Sequence, residues 1–405
     1  MMFFKIKIAN ILVRTTSKKW WVGIIKVLNL LLVKNKRMHF KSVKYLDLID
    51  VNKRVIYTKA VTKIFLPNYI RHQKIEFIEI ESPEVQLLEL KNFIISGHSS
   101  SFIKDNNLYI ERYLNEENLN ANYSTGGVRL HNNSCAMIIQ KTNLHDVDKG
   151  FFLAGNGSWN YYHWLIEILP KLKVYLELEL YNKGIKLLVP DSVKESENLR
   201  FLLERILGDV QVEVVFLSTH FCYHIKQLYH LTPINNVLFN ERKIGIATNI
   251  LHIRPDSLGF IRDKIGKDVL STMKDERIFL ARKDGGARDY NQTELITLII
   301  KYRFKIIYME DYSVEQQVSL FKNAKYIIGP SGAAWTNLIF CNKLCKALTW
   351  LPESIQKFPA FSTLANFANV ELSFFNTSSN HYKNIHDDYI IDLNIFEIHL
   401  NKLLE

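Results

Sequence analysis

The chain has 405 residues, 47% of them hydrophobic and 12% aromatic, which is room for two domains around a sizeable core and too apolar for a disordered protein. Its net charge of +11 sits at one end: residues 1–46 hold eleven Lys/Arg and no acid, so the rest of the chain sums to zero. A body without net charge gives little electrostatic support to nucleic-acid binding, and no nucleic acid is expected as a partner.

Residues 1–45 form a basic amphipathic leader. Its centre, Trp20 to Val33, is too short to span a bilayer and is interrupted by Lys26 and Asn29. No small-residue cleavage site follows, so a secretory signal is not expected. Basic residues beside paired tryptophans suit an anionic membrane surface, which would put the protein in the cytoplasm, peripheral on the inner face of the plasma membrane. An amphipathic helix docked on the protein's own body fits the same pattern. The four cysteines (Cys135, Cys222, Cys341 and Cys345) are scattered and lack the partners of a zinc set, so they read as structural thiols of a reducing compartment.

Residues 46–250 are expected to form an N-terminal, acceptor-side domain, β-rich and then α/β. Short β-type runs (RVIYTKAV, KIEFIEI, FIISG, NLYIERY, CAMIIQK) are separated by polar turns. The run GFFLAG (150–155) reads as a strand. A helix follows in YYHWLIEILPKLKVYLELELY, capped by Asn160 or Ser158 and kinked or divided at Pro170. The Asn156-Gly157-Ser158 glycosylation pattern is inert in a protein that is not secreted. The strand KLLVP (186–190), a helix near 195–207 and the strand VEVVFL (212–217) continue the alternation, which implies a parallel sheet covered on both faces.

Residues 251–405 are expected to form a C-terminal Rossmann-like domain. The strand IFLAR (278–282) leads to a polar loop and a helix capped by Asn291. The strand KIIYM (305–309) leads to a helix opened by a capping box, Ser313-x-x-Gln316. The strand YIIG (326–329) breaks into Pro330-Ser331-Gly332 and a helix begun by Ala333 and Ala334, and KALTWL (346–351) follows. Loops after successive parallel strands meet at one edge of such a sheet, where ligands bind.

Three constellations fall at these strand ends. The Ser331-Gly332-Ala333 turn offers backbone N–H groups at the positive end of a helix, a seat for a diphosphate, with small residues that allow close approach; it also fits an ordinary strand–turn–helix corner. Arg282, Lys283 and Arg288 would face that turn from the neighbouring loop and hold a diphosphate from the other side. Glu310 and Glu315 are placed to accept hydrogen bonds from ribose hydroxyls. In the other half, His163 and Glu167 lie four apart on one helix face, His163 in the first turn where the helix dipole favours the neutral imidazole. Either could act as a general base. Asn160, Tyr161 and Trp164 supply polar and aromatic groups of the kind that meet sugar rings. No GxGxxG, Walker, GxSxG or paired-histidine motif occurs, and no metal and no cofactor is expected.

Taken together, NYYHWLIEILPKL (Asn160 to Leu172) and the stretch from Arg282 through Asn291, Glu310, Ser313-Val314-Glu315-Gln316 and Phe321 to IIGPSGAAWTN resemble glycosyltransferase family 61. The resemblance covers about 155–350. It departs from the family where Ser331 replaces a histidine, Ala334 a glycine, Trp335 a leucine and Gln292 a glutamate. It implies an α/β, GT-B-like fold, with two Rossmann-type halves facing a cleft behind the β-rich N-terminal portion. It also implies inverting, metal-independent sugar transfer from a nucleotide-sugar donor, which is a substrate rather than a cofactor. The acceptor would be a growing capsule or surface polysaccharide or a lipid-linked glycan, as for the family's bacterial members. In these terms His163 and Glu167 are catalytic, and Asn160, Tyr161 and Trp164 bind the acceptor. Arg282, Lys283, Glu310, Glu315, Ser331, Gly332, Ala333 and Asn337 bind the donor. A non-catalytic polysaccharide-assembly or glycan-binding subunit of the same fold is the alternative, motivated by Ser331 and Trp335.

Overall fold

The computed structural model describes residues 36–69, 75–97, 99–111, 128–131, 135–236, 251–283, 288–342, 344–352, 355–377 and 388–405. The expected leader therefore lies outside the described residues up to position 35, as do residues 284–287 of the basic loop. Among the described residues no helix is long and apolar enough to cross a membrane.

Two large sheets organise this mixed α/β molecule. The C-terminal sheet has six strands, all parallel, in the order Lys305–Tyr308, Arg277–Ala281, Tyr326–Pro330, Lys346–Pro352, Glu371–Thr377 and Asn68–Tyr69. Its strands are short apolar runs, as expected of a sheet covered on both faces. Period-two alternation separates two cores. Phe279, Ile328, Leu348 and Phe375 face the helices Gln292–Lys301 and Leu393–Leu404 in one hydrophobic cluster. Ile278, Leu280, Ile327, Ala347 and Phe374 face the helices Val314–Asn323 and Ala360–Ala368 in another. Helices on both faces make this sheet doubly wound. Numbered along the chain from Arg277–Ala281, its first five strands run 2-1-3-4-5, so the connections change direction between Arg277–Ala281 and Tyr326–Pro330. A crevice opens at such a switch point, outside the carboxyl ends of the two strands.

The N-terminal sheet has eleven strands and is mixed. Val214–Leu217, Lys186–Pro190, Leu144–Phe152 and Cys222–Leu231 are parallel neighbours. From Cys222–Leu231 the sheet continues through the antiparallel Val85–Ile95 into Phe102–Lys104, Asn107–Ile110, Lys36–Tyr45, Cys135–Lys141 and Val128–His131. The β-rich N-terminal portion is thus present, and among the described residues the continuous run of parallel strands expected of a Rossmann-type half comprises four.

The sheets do not divide at a single point in the chain. Asn68–Tyr69, from the N-terminal region, is the edge strand of the C-terminal sheet. The antiparallel ribbon Ala60–Phe65 with Phe77–Ser82 packs against the same half, where Ser362 donates from its hydroxyl to the Phe65 carbonyl at 2.6 Å. One hydrophobic cluster runs without a break from Phe151, Leu165 and Leu187 of the N-terminal half to Ile327, Leu338 and Phe374 of the C-terminal half.

Candidate functional site

The segment carrying His163 and Glu167 is helical, but its turn is wider than an α-helix. Residues His163–Ile168 form a π-helical turn, with the Leu169 N–H donating to the Trp164 carbonyl at 2.9 Å, five residues back. Asn160 starts the turn: its side-chain oxygen accepts from the Tyr162 N–H at 2.9 Å and its carbonyl from the Trp164 N–H at 2.9 Å. Pro170 divides the helix as expected and opens the α-helix Lys171–Glu177. Having no N–H, Pro170 cannot bond the carbonyl four residues back, that of Ile166. The Asn235 side-chain amide donates to that carbonyl instead, at 2.7 Å.

With more than four residues per turn, side chains four apart lie nearly in line. His163 Nδ1 and Glu167 Oε2 meet at 2.7 Å, both largely buried. A carboxylate on Nδ1 fixes the ring orientation and turns Nε2 outward from the pair. The imidazole fills the space beside Gly157, where a Cβ would lie 2.8 Å from Cγ and Cδ2 of the ring. Burial pushes the neighbouring Tyr162 phenol far above its usual range, and the Glu167 charge adds to this.

At the switch point, Arg282 follows the strand Arg277–Ala281 directly. Its guanidinium donates to the carbonyl of Ser331 at 2.7 Å and to that of Arg288 at 2.7 Å. Gln292 clamps its backbone: the Gln292 Oε1 accepts from the Arg282 N–H at 2.7 Å, and Nε2 donates to the Arg282 carbonyl at 2.7 Å. An amide makes both bonds where a carboxylate would make one, which accounts for glutamine at this departure from the family pattern. Facing Arg282, Gly332 leads into the 3-10 helix Ala333–Phe340, whose first bond runs from the Trp335 N–H to the Gly332 carbonyl. The N–H groups of Gly332, Ala333 and Ala334 precede that bond. Gly332 itself is extended, with φ 174°, and a Cβ there would meet only Arg282 Nη2, at 3.9 Å.

On the next loop, Glu310 and Asp311 form a 3-10 turn after Lys305–Tyr308, and Lys283 pairs with Asp311. Asp311 is the main reason the Lys283 ammonium holds its proton more tightly than usual. Glu315 is exposed in the first turn of the helix Val314–Asn323, which opens with the expected capping box between Ser313 and Gln316. Asn291 begins the preceding helix without capping it by its side chain, which instead exchanges two hydrogen bonds with the backbone of Ile391.

A buried chain of amides ties these parts together. The Tyr161 hydroxyl donates to Asn337 Oδ1 at 2.8 Å, and Asn337 Nδ2 donates to Gln317 Oε1 at 3.2 Å. Gln317 Nε2 in turn donates to the carbonyls of Met309 and Tyr312 at 3.0 Å each. The segment preceding His163, the helix that follows the Ser331–Ala333 turn and the Glu310 loop are therefore joined by hydrogen bonds. Asn337, expected at the donor, is fully buried and serves as this bridge. Trp164, expected at the acceptor, is corrected to the core: it is fully buried and its indole N–H donates to the Leu199 carbonyl at 3.1 Å. The aromatic exposed beside Asn160 is Trp159, at 52%. Trp335 also packs inward, its indole N–H donating to the Pro330 carbonyl at 2.8 Å, so the larger side chain does not fill the turn. Sequence reading missed Gln317, Gln292 as a clamp, and Asn235. Only Pro170, which strands a carbonyl, signals that a residue like Asn235 is needed.

A cation, small residues and leading helix N–H groups at the switch point of a doubly wound sheet are the usual ingredients of a phosphate-binding crevice. Residues 161–348 match the family model described as Glycosyltransferase 61, so the match begins at Tyr161, includes the His163–Glu167 turn and runs through the Arg282, Glu310 and Ser331 loops. That family implies glycosyltransferase activity in general, with a nucleotide-sugar donor and a glycan acceptor. No match to a curated protein was found.

Proposed function

We propose that the protein is an inverting glycosyltransferase that moves a sugar from a nucleotide-sugar donor to a surface polysaccharide or lipid-linked glycan, without a metal, across a GT-B-like cleft on the cytoplasmic side of a membrane. The observation that carries this reading is Arg282 set against the Ser331–Ala333 turn at the switch point, linked through Asn337 and Tyr161 to the His163–Glu167 pair. The diphosphate of the donor sits on the N–H groups of Gly332 to Ala334, with Arg282 and Lys283 balancing its charge. Glu310 and Glu315 take the ribose hydroxyls. Asn160 and Tyr161, with Trp159, meet the acceptor.

In the transfer, the acceptor oxygen forms a bond to the anomeric carbon as the bond from that carbon to the diphosphate breaks. The acceptor proton passes to His163, Glu167 stabilises the imidazolium, and the nucleoside diphosphate leaves under the cations. The resemblance supports the polysaccharide acceptor, and the basic leader supports a peripheral membrane position.

A panel of UDP-, GDP-, TDP- and CMP-sugars tests this by thermal shift and nucleotide release, with and without EDTA. One donor class is expected to stabilise the protein and to release nucleotide regardless of EDTA. Arg282→Ala should weaken that binding about 10- to 100-fold, the range for a lost charge-assisted hydrogen bond. Gly332→Ala, which the extended backbone tolerates, should fold normally and still bind the donor poorly. His163→Ala should bind the donor and release no nucleotide. Binding to none of the panel would overturn the reading.

A further inference from the structure

Tyr290 ends the basic loop that follows Arg282, and it reaches Arg282 by two separate routes. The first runs through Gln292. The Tyr290 hydroxyl donates to Gln292 Oε1 at 2.7 Å, the oxygen that also accepts from the Arg282 N–H. Both lone pairs of that amide oxygen are thereby used, and Nε2 is left turned to the Arg282 carbonyl, to which it donates at 2.7 Å. The second route is the ring itself. The guanidinium carbon of Arg282 lies over it at 6.0 Å from the centroid, within reach of a cation–π attraction. The ring is held on its other sides by aromatic neighbours. It stacks on Tyr389 with 5.5 Å between centroids and 4° between planes, and it meets Trp350 edgewise at 5.8 Å. The Trp350 indole N–H donates to the Tyr389 hydroxyl at 2.8 Å, which fixes the two partners to each other.

The backbone on either side of Tyr290 is tied to the segment that carries Tyr389. The Asp289 N–H donates to Asp388 Oδ1 at 2.8 Å and the Tyr389 N–H to the Asp289 carbonyl at 3.0 Å. The Asn291 side chain bonds the Ile391 backbone at 3.0 and 2.8 Å. Just before this zipper Arg288 takes φ 67°, a left-handed conformation that side chains disfavour and that persists only where the surroundings impose it. The carbonyl of Arg288 is one of the two that the Arg282 guanidinium bonds, the other being that of Ser331 in the turn. An arginine at the mouth of a loop ordinarily samples many rotamers, and ordering it on binding costs affinity. Here Gln292 clamps the backbone, two carbonyls hold the head group, and Tyr290 lies beneath its flat face. Tyr290 is the side chain common to the first and last of these.

We propose that Tyr290 is a positioning residue for Arg282: its hydroxyl, acting through Gln292, and its ring pre-set the guanidinium against the Ser331–Ala333 turn, so that a diphosphate meets a cation already in place. The proposal rests on Arg282 as a cation for the donor diphosphate. Inorganic pyrophosphate is the probe, because it presents a diphosphate without base or sugar, and its affinity for the full-length protein is measured by titration calorimetry at fixed pH and ionic strength. Tyr290→Phe keeps the ring and should weaken pyrophosphate binding about 2- to 10-fold, the range for one neutral hydrogen bond. Tyr290→Leu loses the ring as well and should weaken it about 2- to 5-fold further. Both substitutions are then repeated in Arg282→Ala. There they should leave the residual affinity unchanged, since Tyr290 acts only through the guanidinium. A merely structural role would lower the affinity by the same factor in both backgrounds. Equal losses in the two backgrounds, or no loss in a Tyr290 variant that melts like the wild type, would overturn the proposal. Pyrophosphate bound as tightly by Arg282→Ala as by the wild type, or by neither, would overturn the diphosphate reading of Arg282 and the proposal with it.

Discussion

At Gly157 the backbone takes φ +73°, and a Cβ there would lie 2.8 Å from Cγ and Cδ2 of His163. Both facts demand glycine: the left-handed conformation disfavours any side chain, and the space is filled by the imidazole. Gly157→Ala is expected to cost about 1–3 kcal/mol in stability and to displace the ring from Glu167. Chemical denaturation measures the first effect. The second should appear as a fall in kcat of about tenfold or more with donor binding retained, and unchanged turnover would remove Gly157 from the site. At this scale the sequence made residue types legible but not their directions. The four-residue spacing of His163 and Glu167 identified a pair that does meet at 2.7 Å. Trp164 was placed at the acceptor for its aromatic face, although its indole is buried against the Glu197–Leu207 helix, because residue type alone carries no mark of which side a helical aromatic faces. Tyr290 and Tyr389 are far apart in the sequence and Tyr389 lies outside both sequence blocks, so no spacing rule could have stacked them.

Elements were read more completely than side chains. The strands KLLVP and Lys346–Pro352 fall where continuous apolar runs required them, and the Ser313–Gln316 box opens its helix as the four-residue pattern dictates. What the pattern could not supply was the kind of helix. The small residues after Gly332 start a 3-10 helix, and the segment before Pro170 widens into a π-turn, since each depends on tertiary partners for its unpaired groups. Asn235 is such a partner. Its amide donates to the Ile166 carbonyl and to the Ser257 hydroxyl, and its oxygen accepts from the Arg254 N–H at 2.8 Å. Asn235→Ala should therefore cost about 1–3 kcal/mol, the range for leaving buried polar groups unsatisfied. It should also impair the His163–Glu167 step more than donor binding, because the carbonyl it releases sits beside Glu167. A urea titration, together with separate kcat and donor-affinity measurements, checks both. Equal losses in the two functions would mean that Asn235 supports the fold alone.

On the scale of the whole molecule, the sequence suggested two units in chain order, one ending near residue 250 and one beginning there. Alternation of strands and helices made the C-terminal parallel sheet legible, including the loops that meet at its switch point. It could not show that Asn68–Tyr69 supplies the sixth strand, since a two-residue strand has no periodicity and its pairing with Ser373 and Phe374 is wholly non-local. That strand, the ribbon Ala60–Phe65 with Phe77–Ser82, and the cluster shared from Phe151 to Phe374 mean that neither half closes its own core. A fragment of residues 251–405 would keep the helices Val314–Asn323 and Ala360–Ala368 but lose the N-terminal members of the shared cluster, among them Ile64, Val85, Leu165 and Leu187, returning their C-terminal neighbours to water, and would lose the hydrogen bonds that Phe65 makes to Ser362 and Thr363. Each fully buried aliphatic side chain returned to water forfeits about 1.5–3 kcal/mol, and net stabilities of domains are only about 5–15 kcal/mol, so losing a handful is enough to unfold the half. The fragment is expected to show no cooperative thermal transition by circular dichroism, whereas the full chain melts with the two halves coupled. Adding residues 58–84 as a separate peptide should restore little, because the N-terminal helices that complete the cluster would still be missing. A fragment that melts sharply on its own would mean that the shared cluster is an interface between two independent domains, and the link from Tyr161 to Asn337 would then span a hinge.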